Sequence, residues 1–163
     1  MNLPPTEMIR PLPRKTPSWL TDHVVNPTTK FLIRRGFSLR GARILSVRGR
    51  ATGEWRSIPV NLLETEYGSY LVAPRGNTEW SRDLRHSGSG RLISGNQIIE
   101  FSAEEIADSA KPELFRTYLA LWKGASDRFF NGIRPDAPDS QFLAVAARYP
   151  VFRILEKRSN RRV

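Results

Sequence analysis

Cysteine is absent from the 163 residues of this chain, and histidine occurs only at His23 and His86. Without cysteine the chain has no disulfide, no thiolate metal site and no thiol nucleophile, and two histidines are few for a histidine-based metal site. Long apolar runs are missing as well, because no stretch reaches 18 residues, and the first residues lack the layout of a secretory signal. The sequence therefore predicts a cytoplasmic protein without a metal site.

Lysine is scarce too, with 5 lysines against 21 arginines, although the net charge is +10. The planar arginine fork suits bidentate capture of phosphate or carboxylate, so the composition indicates an anionic partner. Residues 30–91 hold 12 basic and 5 acidic side chains, whereas residues 92–147 hold 5 basic and 8 acidic ones. We expect the anion to meet the first half of the fold. The alternative is a basic surface that serves solubility alone.

The length fits one domain, which we place at residues 19–163 after a loose, proline-rich arm at residues 1–18. Strand patterns alternate with short helical patterns along the chain. We expect strands at 44–48, 57–63, 67–73, 91–94, 97–106 and 151–155, and helices near 26–36, at 80–86, from Lys111 (with Leu114, Tyr118, Leu121 and Trp122 along one stripe) and at 141–148. About six short strands with interspersed helices favour an antiparallel barrel over a parallel α/β sheet.

Two segments combine arginine with glycine in a way that suits anion binding. Residues 49–60 join two strands through a glycine-bounded loop that carries Arg50 and Arg56. Residues 73–85 run from a strand end through Arg75 and Gly76 into a helix start, where free backbone N–H groups attract anions. The alternative is that the glycines serve turn geometry alone and that Trp80 is a core residue.

These two segments also carry a family resemblance. The order Gly-Arg-x-x-Gly-x-x-Arg-x-x-Pro, then Ala-Pro-Arg-Gly, then Trp-x-x-x-Leu-Arg and a closing Tyr-Pro-Val-Phe-Arg-Ile strand resembles the deazaflavin-dependent nitroreductases of actinobacteria. The resemblance spans roughly residues 39–156. It implies a mainly β protein with helices, a split β-barrel related to the flavin-binding pyridoxine phosphate oxidases, and a cleft for coenzyme F420, an 8-hydroxy-5-deazaflavin. The implied reaction is hydride transfer from the reduced coenzyme to a quinone or nitro compound.

The resemblance also implies site residues. The expected coenzyme-binding residues are Arg50, Arg56, Ser57, Pro59, Arg75, Gly76, Asn77 and Trp80. The expected acceptor pocket is formed by Tyr118, Trp122, Phe129 and Phe130, with Tyr118 as a catalytic hydrogen-bond or proton donor to the acceptor oxygen. Ordinary core packing is the alternative for these aromatic residues. Asp83 departs from the pattern, because many relatives have Asn there, and an acid at this position would weaken binding of a polyanionic tail.

Three other functions remain open at this point. A basic nucleic-acid-binding module fits the isoelectric point of about 10.8, although no specific nucleic-acid motif is present. The same fold with FMN or a lipid in place of the deazaflavin is the second, with FMN less favoured. Peripheral membrane contact through the N-terminal segment around Trp19 and Leu20 is the third. The sequence leaves both a monomer and a homodimer open.

Overall fold

The computed structural model describes residues 41–95, 97–122 and 129–156. Six strands and three helices cover most of these residues. The strands are β1 (Ala42–Arg48), β2 (Trp55–Thr65), β3 (Gly68–Val72), β4 (Ser89–Ser94), β5 (Gln97–Glu105) and β6 (Val151–Glu156), and the helices are α1 (Glu79–Ser87), α2 (Lys111–Leu121) and α3 (Asp139–Val145). The arm predicted at residues 1–18 and the helix predicted near 26–36 lie outside the described residues. The domain boundary at residue 19 therefore stays a prediction.

The strands close into a barrel in the order β1-β2-β3-β6-β5-β4, with every neighbouring pair antiparallel. Closure gives every strand a neighbour on both sides, although the pairing on one side of β2 is confined to Leu62–Thr65. Short turns suffice for the first hairpin and for the one at Gly95, because antiparallel neighbours need little connecting chain. The predicted antiparallel barrel of about six strands with helices is confirmed.

Successive side chains of each strand point to opposite faces of the sheet, and this alternation divides the core into two clusters. In β2, Val60 and Leu62 point into the barrel, where they pack with residues such as Phe101 and Phe152. Leu63 lies in the opposite phase of the same strand and points outward into a second cluster. This is the period-2 pattern of a pleated strand with both faces covered. One set of strands therefore serves an interior core and an outer one.

The outer cluster lies between the barrel and the helices. Phe115, Tyr118 and Leu119 of α2 are buried there, while Leu121 is 52% exposed. The expected stripe on this helix was therefore wrong at Leu121 and missed Phe115 and Leu119. The buried side chains recur at i, i+3 and i+4, as helix geometry requires, but the stripe is rotated relative to the predicted one. Tyr118 belongs to both stripes and packs against the barrel wall.

The remaining helices are short. Helix α1 packs against β1, β4 and β5 and inserts Leu84 into the interior core. Helix α3 packs on α2 and continues into a 3-10 turn at Ala146–Arg148, so the helix predicted at 141–148 is present but begins earlier and tightens at its end. Within the described ranges, no helix has the length and hydropathy needed to cross a bilayer.

Candidate functional site

The barrel wall is split along one edge of β2. Strand β2 pairs with β1 from Trp55 to Asn61, but it pairs with β3 only from Leu62 to Thr65. Beyond that point the chain after β3 follows β6 instead, and the Ala73 N–H donates to the Pro150 carbonyl at 2.9 Å. A cleft therefore opens between the first half of β2 and the residues that follow β3.

A cavity of about 300 Å³ occupies this cleft. Its lining is mostly apolar and comes from β2, from the end of β3 and the following turn, from α1, from α2 and from the segment before α3. The lining residues are Ile58, Pro59, Val60, Asn61, Val72, Ala73, Pro74, Arg75, Thr78, Trp80, Tyr118 and Phe129. The volume lies at the lower end of the range of about 300–1,000 Å³ for small-molecule sites, which suits a flat ring system rather than a whole dinucleotide-sized ligand.

The pairing register sets the backbone along the open edge. The Leu62 N–H donates to the Gly41 carbonyl, and the Gly49 N–H donates to the Glu54 carbonyl, which fixes the phase of the β1–β2 ladder. In that phase the backbone groups of Ser57 and Pro59 point away from β1, toward the cleft. Proline is tolerated here because it has no N–H to leave unpaired on an open edge.

Arg75 lies at the mouth of the cavity. It is exposed, and it makes no hydrogen bond or ion pair with the residues that the structure describes. The next residue, Gly76, has φ +87°, and a side chain there would press against the Arg148 carbonyl at 3.2 Å. Glycine thus lets the turn pass close to the chain before β6 and leads directly into α1. At the entrance of an apolar cavity, Arg75 is thus an arginine without an ion pair among the described residues.

Tyr118 forms part of the cavity wall and is only 2% exposed. Burial raises the pKa of Tyr118 to about 12, although a hydrogen bond from Asn61 and the charge of Arg75 lower it in part. The phenol is therefore neutral at physiological pH and keeps its proton for donation. Its ring packs on Trp122 with a centroid distance of 4.5 Å, which fixes its orientation.

The structure brings together five of the residues expected from the sequence. Pro59, Arg75, Trp80, Tyr118 and Phe129 all line the one cavity, although they come from four different parts of the chain. Trp80 also packs against the interior core, with its ring 6.2 Å from that of Phe152. The residues expected on the coenzyme side and those expected on the acceptor side thus share a single cavity.

Four other expected residues do not line the cavity. The Ser57 hydroxyl donates to Ser46 on β1 at 3.1 Å, and the Arg56 guanidinium folds back over Gly49. Asn77 accepts hydrogen bonds from Ser81 and Arg85 at the start of α1. Gly76 acts through the turn it permits. Arg56 makes no ion pair within the described ranges.

Arg50 is paired with two carboxylates and does not line the cavity. Its guanidinium donates to Asp83 at 2.8 Å and to Glu79 at 3.0 Å, and its backbone N–H also donates to Asp83. The Asp83 side chain is 2% exposed. These contacts tie the β1–β2 loop to α1. They also pair Asp83 with a cation, so that its charge is compensated within the fold. Asp83 is the residue that departs from the motif pattern.

Burial alone would raise the pKa of Asp83, but hydrogen bonds from the Arg50 backbone and guanidinium outweigh burial and hold this pKa below its ordinary value. Because the folded-state pKa is lowered, the carboxylate stabilises the fold above the unfolded pKa of about 3.9, and that stabilisation is lost as the pH falls through the lower folded value. We expect the denaturant midpoints of the wild type and Asp83→Asn to differ at pH 6 and to converge toward pH 2. A gap that stays constant with pH would contradict this role.

Two aromatic residues expected in the acceptor pocket lie behind it. Phe130 is fully buried and packs on Phe115 at 4.6 Å and on Tyr149 at 5.0 Å, so it is a core residue of the outer cluster rather than a lining residue. Trp122 packs against Tyr118 and does not line the cavity. Of the neighbouring pair, Phe129 faces the cavity, because the backbone turns at Phe130 with φ +51°.

The sequence interpretation missed Asn61. This residue is 7% exposed, lines the cavity, and has a side-chain oxygen with no hydrogen-bond partner in the described part of the chain. A signal was present, since Asn61 interrupts the apolar run Val60 to Leu63 with a residue that strands disfavour. Polar residues within a strand that is covered on both faces require a partner, which marks them as site candidates.

Comparison with known proteins bears on the fold. No protein-family model and no curated protein matches this chain. Among solved structures, the F420-H2 dependent reductase FDR-A is similar with a TM-score of 0.51 and 14% identity, over 71% of this chain and 94% of that one. A Listeria innocua protein assigned as a pyridoxamine 5′-phosphate oxidase is similar with a TM-score of 0.50 and 10% identity, over 80% and 94%. The likeness shows a common fold, the split β-barrel expected from the motifs.

Proposed function

We propose that this protein is an oxidoreductase that binds a reduced deazaflavin coenzyme, coenzyme F420, along the split in the barrel and passes its hydride to an organic acceptor such as a quinone or nitro compound. The observation that carries the proposal is one cavity with an apolar wall, an uncommitted cation at its mouth and a protonated phenol in its wall. A similar fold in an F420-H2 dependent reductase supports the choice of coenzyme.

The residues present fit such a coenzyme. Ile58, Val60 and Trp80 supply an apolar slot for a flat ring, and the open edge of β2 supplies backbone groups at Ser57 and Pro59. A phosphate-containing acidic tail exceeds a cavity of about 300 Å³ and would extend past the mouth, where Arg75 lies. An exposed arginine with no internal partner suits that role, because no existing ion pair must be broken.

When bound, the coenzyme supplies the hydride, so the protein needs no nucleophile of its own. The apolar wall excludes water and holds the acceptor in the cavity. Tyr118 donates a hydrogen bond to the acceptor oxygen, and this bond strengthens as negative charge develops there. Trp122 packs on the phenol ring and fixes its orientation, and Asn61 lies in the same cavity wall. The chain's part is thus positioning, exclusion of water and stabilisation of an oxyanion.

The proposed coenzyme is tested by titrating the purified protein with oxidised coenzyme F420 and with FMN in parallel, followed by fluorescence. We expect tighter binding of the deazaflavin, and an affinity that falls as salt is raised, because the pair with Arg75 is exposed to solvent. Equal or tighter binding of FMN would reject the deazaflavin assignment and leave an FMN protein of the same fold. An affinity that does not change with salt would show that the arginines do not contribute to coenzyme binding.

Arg75→Ala is expected to weaken deazaflavin binding roughly tenfold to a hundredfold, the effect of losing a hydrogen bond to a charged group, with no loss of thermal stability. Arg56→Ala is expected to act in the same direction, since Arg56 also lacks an internal ion pair in the described ranges. Arg82→Ala is the matched control, because Arg82 is an exposed arginine of α1 that pairs with Glu79 and does not line the cavity. Unchanged affinity in the Arg56, Arg75 double variant would remove the anion-site argument.

A further inference from the structure

The Asn61 carboxamide is an unusual group to find inside an apolar cavity. It lies on the outward face of β2, in phase with Pro59 and Leu63, and is 7% exposed. Its side-chain oxygen is buried and has no hydrogen-bond partner among the described residues. Leaving a buried acceptor unpaired opposes folding, so such a group in a cavity wall points to a ligand that supplies the missing donor.

The Asn61 carboxamide lies in the same cavity wall as Tyr118 and lowers the pKa of the phenol. An amide N–H that faces the phenol oxygen has this effect, because it favours the phenolate. The Asn61 carbonyl oxygen is left to accept, and the Tyr118 O–H is left to donate. An acceptor and a donor thus lie side by side in the wall of one cavity.

We propose that Asn61 determines specificity, and that its carbonyl oxygen selects acceptors that carry an N–H or O–H group next to the oxygen that Tyr118 contacts. The proposal rests on the proposed function in placing the acceptor against Tyr118. Amino- and hydroxy-substituted quinones have the required pair of groups, whereas alkyl quinones have only the oxygen. A site with an unpaired acceptor discriminates against a ligand that lacks the donor, because binding such a ligand seals the acceptor away from water.

Two naphthoquinones of nearly the same shape test this selection. In 2-amino-1,4-naphthoquinone an amino group stands where menadione, 2-methyl-1,4-naphthoquinone, has a methyl group. Both are titrated into the coenzyme-free protein and followed by quenching of tryptophan fluorescence, since Trp80 lines the cavity. We expect the wild type to bind the amino compound roughly three- to tenfold more tightly, the range for one hydrogen bond.

Asn61→Leu keeps the size of the side chain and removes its polar atoms, so the ratio of the two dissociation constants is expected to fall to about one. The variant is expected to fold, because it removes a buried polar atom that lacks a partner. Asn61→Ala is the second variant and is expected to lose the preference in the same way. Tyr118→Phe keeps the Asn61 oxygen and is expected to retain a preference for the amino compound.

Equal affinity of the wild type for both quinones, or no binding of either, would overturn the proposal, as would an unchanged ratio in Asn61→Leu. These measurements contain no coenzyme and therefore separate the two hypotheses. If the wild type prefers the amino quinone but does not oxidise the reduced deazaflavin, the proposed function is wrong and the selection by Asn61 stands. If the wild type reduces menadione with reduced deazaflavin but shows no preference, the selection by Asn61 is wrong and the proposed function stands.

Discussion

Tyr118→Phe is expected to lower the rate of hydride transfer to menadione about a hundredfold, the usual cost of removing one donor to a developing oxyanion. The phenylalanine ring fills the same space in the outer cluster, so the affinity for the coenzyme should change little. The effect should fall mainly on kcat, because the hydrogen bond is strongest in the transition state. Single-turnover oxidation of the reduced deazaflavin, followed by its absorbance, measures this step.

The pH dependence of the hydride-transfer rate is a second test of Tyr118. Because burial raises the pKa of Tyr118 to about 12, the phenol stays protonated where a free tyrosine loses its proton near pH 10. We therefore expect the hydride-transfer rate of the wild type to depend on pH between pH 7 and pH 10 in the same way as the rate of Tyr118→Phe. If Tyr118→Phe lowers thermal stability and leaves turnover untouched, the residue is a core residue and the acceptor model fails there.

Arg50→Ala is expected to lower the melting temperature by several degrees, roughly 5 °C or more, without a direct effect on the cavity. The loss comes from Asp83, whose buried carboxylate would be left without its guanidinium and would have to be protonated or hydrated in the folded state. Differential scanning calorimetry of the free protein measures the shift. The prediction differs from the one made from the motif, in which Arg50 contacts the coenzyme.

The double variant Arg50→Leu, Asp83→Leu is the control for that prediction. Replacing both partners by apolar residues removes the uncompensated charge, so much of the lost stability should return, even though the backbone N–H of Arg50 also loses its acceptor. An Arg50→Ala protein as stable as the wild type would show that another cation compensates the charge of Asp83, and Arg56 is one that also lowers its pKa.

The barrel was predictable because strand periodicity and turn residues are local properties of the chain. The hairpin of β1 and β2, the tight turn at Gly95 and the closing strand β6 all follow from patterns of fewer than about ten residues. The rotation of α2 was not predictable in the same way. Several apolar stripes fit its residues, and contact with α3 and the barrel, rather than periodicity, decides that Leu119 is buried and Leu121 exposed.

The site was predictable in part, for a related reason. The motif placed Arg75, Trp80 and Pro59 near one cleft, and all three line the cavity. Composition gave no way to know that Arg50 is paired with Asp83, since the two residues are 33 positions apart and the contact depends on how the loop meets α1. The composition also did not show which of Phe129 and Phe130 faces the cavity, because this depends on a local turn of the backbone.

Strand β2 has a further consequence for how this protein would change over evolutionary time. Its even-numbered residues pack into the barrel, where Ile58 and Val60 also border the cavity, and the odd-numbered Pro59 and Asn61 face the cavity from outside. Substitutions at these odd positions would alter what the cavity accepts while leaving the interior packing intact, so new specificities are reachable one mutation at a time. A single inserted or deleted residue in the same stretch would exchange the two faces along the strand, and selection should remove it as a failure to fold.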